Sequence, residues 1–236
     1  MEKIPKLKEL PPTERITYIW DYYKWIFIIV IIAVVVIISV VRHILTKKDT
    51  ALFLLLVNAD TLSYSGSVSE LFTDFLTEEG LDPKKEEVAV STSIRYLDGK
   101  SMSDVYGMQA LTAIMGAGTA DVCVMNEDLY QKMGSMGAFI PIQYYLSEEE
   151  MEALSDRILW VPSDPDIETI AEGGESEEPG TLYARGIRIS DDNPLTENDL
   201  YEAEGTYVGI ANASGRPELA AKLVRELAGL PGDMEP

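Results

Sequence analysis

Residues 51–57, Ala-Leu-Phe-Leu-Leu-Leu-Val, run directly into Asn58-Ala-Asp60, and this stretch decides the fold class. An apolar run without polar alternation, closed by turn formers, suits a strand buried on both faces. Such strands belong to sheets covered by helices on both sides.

The chain beyond it supplies those helices. Ser67 and Glu70 have capping-box spacing, Val68, Leu71, Phe72, Phe75 and Leu76 recur with a helical period, and Gly80 follows the last turn. A second strand is predicted near Glu87 to Ser93, and Asp98-Gly99 marks a turn. Ser101 and Asp104 repeat the capping spacing ahead of a helix to about Met115, which Gly116 and Gly118 end. Asp121 to Asn126 reads as a third strand, Glu127 to Met133 as a short helix, and Gly137 to Ile142 as the segment that follows. The resulting β-α-β-α-β-α order predicts an α/β fold with a mainly parallel sheet flanked by helices.

Ser147 and Glu150 predict a further capped helix. Ile158 to Val161, Leu182 to Ser190 and Thr206 to Ala211 read as three more strands, and residues 163–180 as an acidic loop. Pro217 with Leu219, Leu223, Val224, Leu227 and Leu230 predicts a last helix capped by Ser214 or Gly215.

Upstream, residues 25–45 read WIFIIVIIAVVVIISVVRHIL. The uncharged part, Ile26 to Val41, makes about 24 Å of helix at roughly 1.5 Å per residue, and its flanks extend it to bilayer thickness. A helix apolar on every side is not a soluble core helix, so 25–45 is expected to be a retained transmembrane helix. Residues 1–24 read as a tail followed by an interfacial amphipathic helix carrying Ile16, Ile19, Trp20 and Tyr23. Trp20 and Trp25 sit where aromatic rings anchor at headgroup level, and Arg42 marks the other boundary. Lys3, Lys6, Lys8, Arg15 and Lys24 precede the span, against Arg42, Lys47 and Lys48 after it. That bias puts the N-terminus in the cytoplasm and an extracytoplasmic α/β domain, 50–230, beyond a single-pass anchor in the cell membrane.

Charge separates the same two parts. Before Thr50 there are 8 Lys/Arg against 5 Asp/Glu; from there on there are 11 against 35, within a whole-chain net of −21. So acidic a domain repels nucleic acid, and the partners expected are the lipid bilayer, a small polar solute or a neighbouring membrane protein. The single cysteine, Cys123, lies in an apolar run and reads as core, and the single histidine, His43, lies at the membrane boundary. His-based centres therefore have no residue to use in the domain, a single core cysteine builds no Cys-based metal site, and neither an enzyme nor a cofactor is predicted.

Open parallel sheets bind ligands at the carboxyl ends of their strands. Those ends hold Asn58 and Asp60, Ser91 and Ser93, and Asn126, Glu127 and Asp128, the candidate ligand-binding residues. Their side chains suit hydrogen bonds to a polar ligand; the same residue types also build turns and helix caps. Oxygen donors on Asp60, Glu127 and Asp128 are of the kind a hard cation takes, but no metal site is assigned. Tyr64, Tyr106, Tyr144, Tyr145, Tyr183 and Tyr207 are tyrosines able to stack on a ligand.

Ala117-Gly-Thr-Ala-Asp-Val-Cys-Val-Met-Asn-Glu-Asp128 followed by Gly137-Ala-Phe-Ile-Pro-Ile142 resembles the signature of extracellular solute-binding proteins of bacterial ABC importers. Tyr207-Val-Gly-Ile-Ala-Asn-Ala-Ser-Gly-Arg-Pro-Glu-Leu-Ala-Ala-Lys222 is similar to a strand and helix of that family. Tyr-Ile-Trp-Asp-Tyr-Tyr-Lys-Trp at 18–25 before one span resembles anchored proteins of Gram-positive bacteria. The resemblance implies a fold like the type II periplasmic binding proteins, displayed outside the cell, with a ligand held between lobes. The roughly sixty residues between Ile142 and Thr206 imply a reduced second lobe. The expectation is a membrane-anchored domain that binds a small polar ligand, or else a cell-envelope scaffold that keeps the fold without the pocket.

Overall fold

The computed structural model describes residues 25–39, 42, 47–62, 64–163 and 180–230. The chain divides into two units, Met1–Lys47 and Lys48–Pro236.

In the first unit residues 25–39 are helical and exposed throughout, as is Arg42. No helix among the described residues is long and apolar enough to cross a membrane. The rest of the expected span, the interfacial helix and Trp20 lie outside the described residues.

The second unit is a mixed α/β fold on one six-stranded sheet. Its strands are β1 (Asp49–Leu56), β2 (Glu86–Ser91), β3 (Val122–Asn126), β4 (Ile158–Pro162), β5 (Leu182–Arg188) and β6 (Thr206–Ile210), in the spatial order β2-β1-β3-β6-β5-β4. The helices are α1 (Thr73–Glu78), α2 (Met102–Gly116), α3 (Glu127–Ser135), α4 (Glu148–Ala153), α5 (Pro194–Glu197) and α6 (Pro217–Leu227).

Alternate residues of the central strands feed two cores. Leu52, Leu54, Leu56, Val122, Val124, Val208 and Ile210 meet Phe75 and Leu76 of α1 and Leu223, Val224 and Leu227 of α6. Leu55, Val57, Cys123 and Met125 meet Leu111 and Met115 of α2 and Leu129, Tyr130 and Met133 of α3. Both faces are covered, as the apolar run of β1 requires. Each fully buried Leu contributes about 2 kcal/mol of transfer free energy.

The expectation of a mainly parallel sheet is corrected. β1 pairs in parallel with β2 and β3, whereas β3–β6, β6–β5 and β5–β4 are all antiparallel. A parallel crossover needs a helix long enough to lie across the sheet. The segment between β5 and β6 offers only the single turn α5, so β6 runs back along β5. The expected reduced second lobe is corrected with it, because β4, β5 and β6 extend the same sheet. Ser163 and residues 180–181 pinch the base of the acidic loop, with Ser163 N donating to Thr181 O and Gly180 N to Ser163 O, each at 3.0 Å. Residues 164–179 of that loop lie outside the described ones.

Helix caps divide in the same way. Ser101–Asp104 and Ser147–Glu150 form the predicted capping boxes. Ser67 makes no side-chain cap, and Val68–Phe72 is a 3-10 turn leading into α1. Nor does Ser214 cap α6, whose cap residue is Arg216. Ser214 Oγ instead donates to Asp121 Oδ1 at 2.7 Å, and Arg216 binds the carbonyls of Thr50 and Ala51. Asp121 Oδ2 also accepts Phe53 N at 2.8 Å, so one buried carboxylate joins β1, β3 and the start of α6.

Candidate functional site

The strand order makes the junction of β1 and β3 a topological switch point. β1 leads to β2 through α1 on one face, and β2 leads to β3 through α2 on the other. At such a point the loops part and leave a crevice over the strand ends. Here residues 200–205 bond to the strand ends. Tyr201 Oη donates to Val57 O at 2.6 Å and lies 3.3 Å from Val124 O. Burial pushes the Tyr201 hydroxyl's pKa well above its ordinary value, so it stays a donor. On either side Asp60 N donates to Leu200 O and Glu127 N to Gly205 O, both at 2.9 Å. The segment 200–205 is thus laced to β1 and β3 at their carboxyl ends.

Most of the predicted site residues are spent on the fold. Asn58 takes a left-handed backbone (φ 65°), and its side chain clamps one residue of the next loop. Nδ2 donates to Tyr96 O at 2.5 Å and Oδ1 accepts Tyr96 N at 2.7 Å. Asp60 Oδ1 accepts Leu62 N at 3.0 Å in an exposed turn. The Ser91 and Ser93 hydroxyls bond each other at 3.1 Å. Glu127 Oε1 accepts Gln131 Nε2 at 2.9 Å along α3, and Asp128 is exposed beside it. Asn126 is the exception: it precedes α3 without capping it, and its Oδ1 is buried with no hydrogen-bond partner. So β1 and β3 bring Asn58, Asp60, Asn126 and Glu127 to one end of the sheet, where the side chains of Asn58, Asp60 and Glu127 bond neighbouring groups. Among the described residues no group of three His, Cys, Asp or Glu is placed to hold a metal ion.

Trp25 is exposed on the N-terminal helix and Arg42 is exposed beyond it. Cys123 is buried with its thiol 3.2 Å from Met115 Sδ, and burial raises its pKa, so it is not a poised nucleophile.

A groove of about 560 Å3 lies between α1 and α6, away from the predicted strand ends. Lys222 Nζ meets Glu79 Oε2 at 2.6 Å and Arg225 meets Glu150 at 2.8 Å. Between them Glu226 is pushed up to about 7, first by desolvation and then by Glu78, Asp74 and Glu79. Its Oε2 is buried without a hydrogen-bond partner. The one cue in the sequence was position: Glu226 lies one residue from Leu227, at the edge of the apolar stripe of α6.

No family model, curated protein or solved structure matches the chain.

Proposed function

We propose that this chain is a membrane-tethered interaction domain of the cell envelope, whose strand ends are closed by its own residues. The observation that carries the reading is Tyr201, bonded into the switch-point crevice where a solute would otherwise bind. The apolar residues 26–41 and the Lys/Arg bias around them support a single-pass anchor with residues 50–230 extracytoplasmic. The absence of His and of a reactive Cys from the domain supports a non-catalytic role.

A second reading, binding of a small polar solute in the manner of the solute-binding proteins the sequence resembles, is favoured by the unpartnered Asn126 Oδ1. A ligand donating a hydrogen bond there would satisfy it.

Thermal unfolding of the full chain in detergent, with a panel of sugars, amino acids, short peptides and divalent cations, separates the two. The interaction reading expects no ligand to raise the midpoint. Stabilisation by one of them, lost in Asn126→Ala, would replace it with solute binding.

A further inference from the structure

Two hollows of the domain meet at the C-terminal end of α6. The groove between α1 and α6 shares Ser190 and Asp192 with a second hollow of about 540 Å3, at the start of β4 and the end of β5. Ser190 N donates to Leu227 O at 2.9 Å, which lays the chain after β5 across the last turn of α6 and joins the two. Gly229 (φ 69°) keeps the junction clear, since a side chain there would begin 2.9 Å from Ser190 Oγ. The result is one continuous, open trough.

Its two ends carry opposite charges that the fold leaves unmatched. At the α1–α6 end the cations are already paired, Lys222 with Glu79 and Arg225 with Glu150. Glu226 Oε2 lies between them, buried and without a hydrogen-bond partner, and Glu78 lines the same end. At the other end two partly buried arginines stand together. Arg157 donates to the Arg188 carbonyl at 2.6 Å. Among the described residues the one ion pair of either guanidinium is Arg188 with the exposed Asp156, at 3.9 Å. Desolvation, and then the charge of Arg188, lower the pKa of Arg157. Asp191, Asp192 and Glu204 also line this hollow, but they are exposed, where water and salt screen them.

A buried carboxylate oxygen without a donor, and two cations held side by side, both gain from a counter-charge brought into the trough. The geometry points to this trough as the seat of an extended segment of a partner protein, one that presents a Lys or Arg to Glu226 and, a few residues along, an Asp or Glu to Arg157 and Arg188. The inference rests on the interaction-domain reading and names what the partner presents. Arg188 is two residues from Ser190, at most about 7 Å of chain, and Leu227, which Ser190 binds, adjoins Glu226. Extended backbone rises about 3.3 Å per residue, so the segment's two charges stand roughly three to five residues apart.

The charge pattern selects the segment. A purely basic one meets repulsion at the arginines, and a purely acidic one meets it at Glu226, Glu78 and Glu79. A carboxylate suits the arginine end, because guanidinium groups hold carboxylates in forked, charge-assisted hydrogen bonds. A cation at the other end offsets the acidic neighbours that hold Glu226 up at about 7.

The test uses a fluorescent carrier protein bearing an otherwise uncharged tail with one Lys and one Glu, in both orders and at spacings of three to five residues. Binding to the full chain in detergent is read by biolayer interferometry at pH 7. The best Lys–Glu tail is expected to bind at least tenfold more tightly than tails keeping only the Lys or only the Glu. Glu226→Gln and Arg188→Gln are each expected to abolish that advantage with the circular dichroism spectrum unchanged. Glu226→Lys is expected to move the preference to a tail with Glu in both positions. A Lys-only tail binding as well as Lys–Glu, or an advantage that survives Glu226→Gln, overturns the trough and assigns the attraction to the acidic surface at large. Binding by none of the tails also overturns it while leaving the interaction-domain reading standing. Stabilisation by a free solute in the thermal assay, lost in Asn126→Ala, would instead remove that reading.

Discussion

At the residue scale, Glu226 is a carboxyl held where its charge is disfavoured, by desolvation and by the acidic side chains of α1. Its pKa in the folded chain, about 7, lies above its ordinary value of 4.5. The folded state thus binds the proton more tightly than the unfolded one. This contribution to stability is fully present below the ordinary value and is lost as pH rises through about 7. Glu226→Gln should flatten that dependence and raise the thermal midpoint at pH 8 more than at pH 5. A midpoint shifted equally at both would show that the carboxyl is not titrating. Glycines show the same dependence on neighbours. Tyr130 lies over β5 and β6, its hydroxyl donating to Arg185 O at 2.9 Å. A side chain at Gly186 would begin 2.7 Å from its ring, and one at Gly209 would meet its hydroxyl. Both positions must stay empty for the ring, stacked at 4.2 Å on Phe139, to fit.

At the element scale, α2 is held at its start by a reciprocal capping box. Asp104 is buried, accepts Leu97 N and bonds Ser101, and those bonds hold its carboxyl down at about 2. Because its folded pKa is depressed, the stability it adds is present above the ordinary 3.8 and is lost as pH falls through about 2. Ser101→Ala should cost about 1 kcal/mol by urea denaturation at pH 7. Asp104→Asn should cost stability at pH 7 and remove most of the acid-side loss. An acid limb unchanged in that variant would assign the loss to other carboxylates. This box was legible in the sequence, because Ser101 and Asp104 stand three apart ahead of an apolar run. The same spacing at Ser67 and Glu70 misled, because the chain there starts as a 3-10 turn, in which the box geometry does not form.

At the scale of the whole molecule, the parallel half (β2, β1, β3) and the antiparallel half (β6, β5, β4) are held together at both ends of the sheet. Tyr201 binds Val57 and Val124 at one end. The Asp121–Ser214–Arg216 cluster joins β1, β3 and α6 at the other. Residues 48–230 should therefore unfold in one transition. Tyr201→Phe leaves the enclosed Val57 carbonyl without its donor and should cost about 1–3 kcal/mol. Calorimetry should show a lower midpoint with the single peak retained, and a split peak would mean that the halves are separate cooperative units.

The sequence by itself determined all six strands and the two best-capped helices, because burial on both faces and capping chemistry are written into neighbouring residues. It also located the strand ends, and so the place where Asn58, Asp60 and Asn126 gather. It did not determine the direction of β6, since a short connection and a crossover leave the same apolar pattern in the strand they reach. Nor did it single out Tyr201, which lies 144 residues from Val57 along the chain. Six other tyrosines looked more available, and only folding shows which one bonds the ends of β1 and β3. The tertiary structure decided that Tyr201 bonds Val57 and Val124, because a hydroxyl's role is set by which backbone carbonyls the fold brings within its reach.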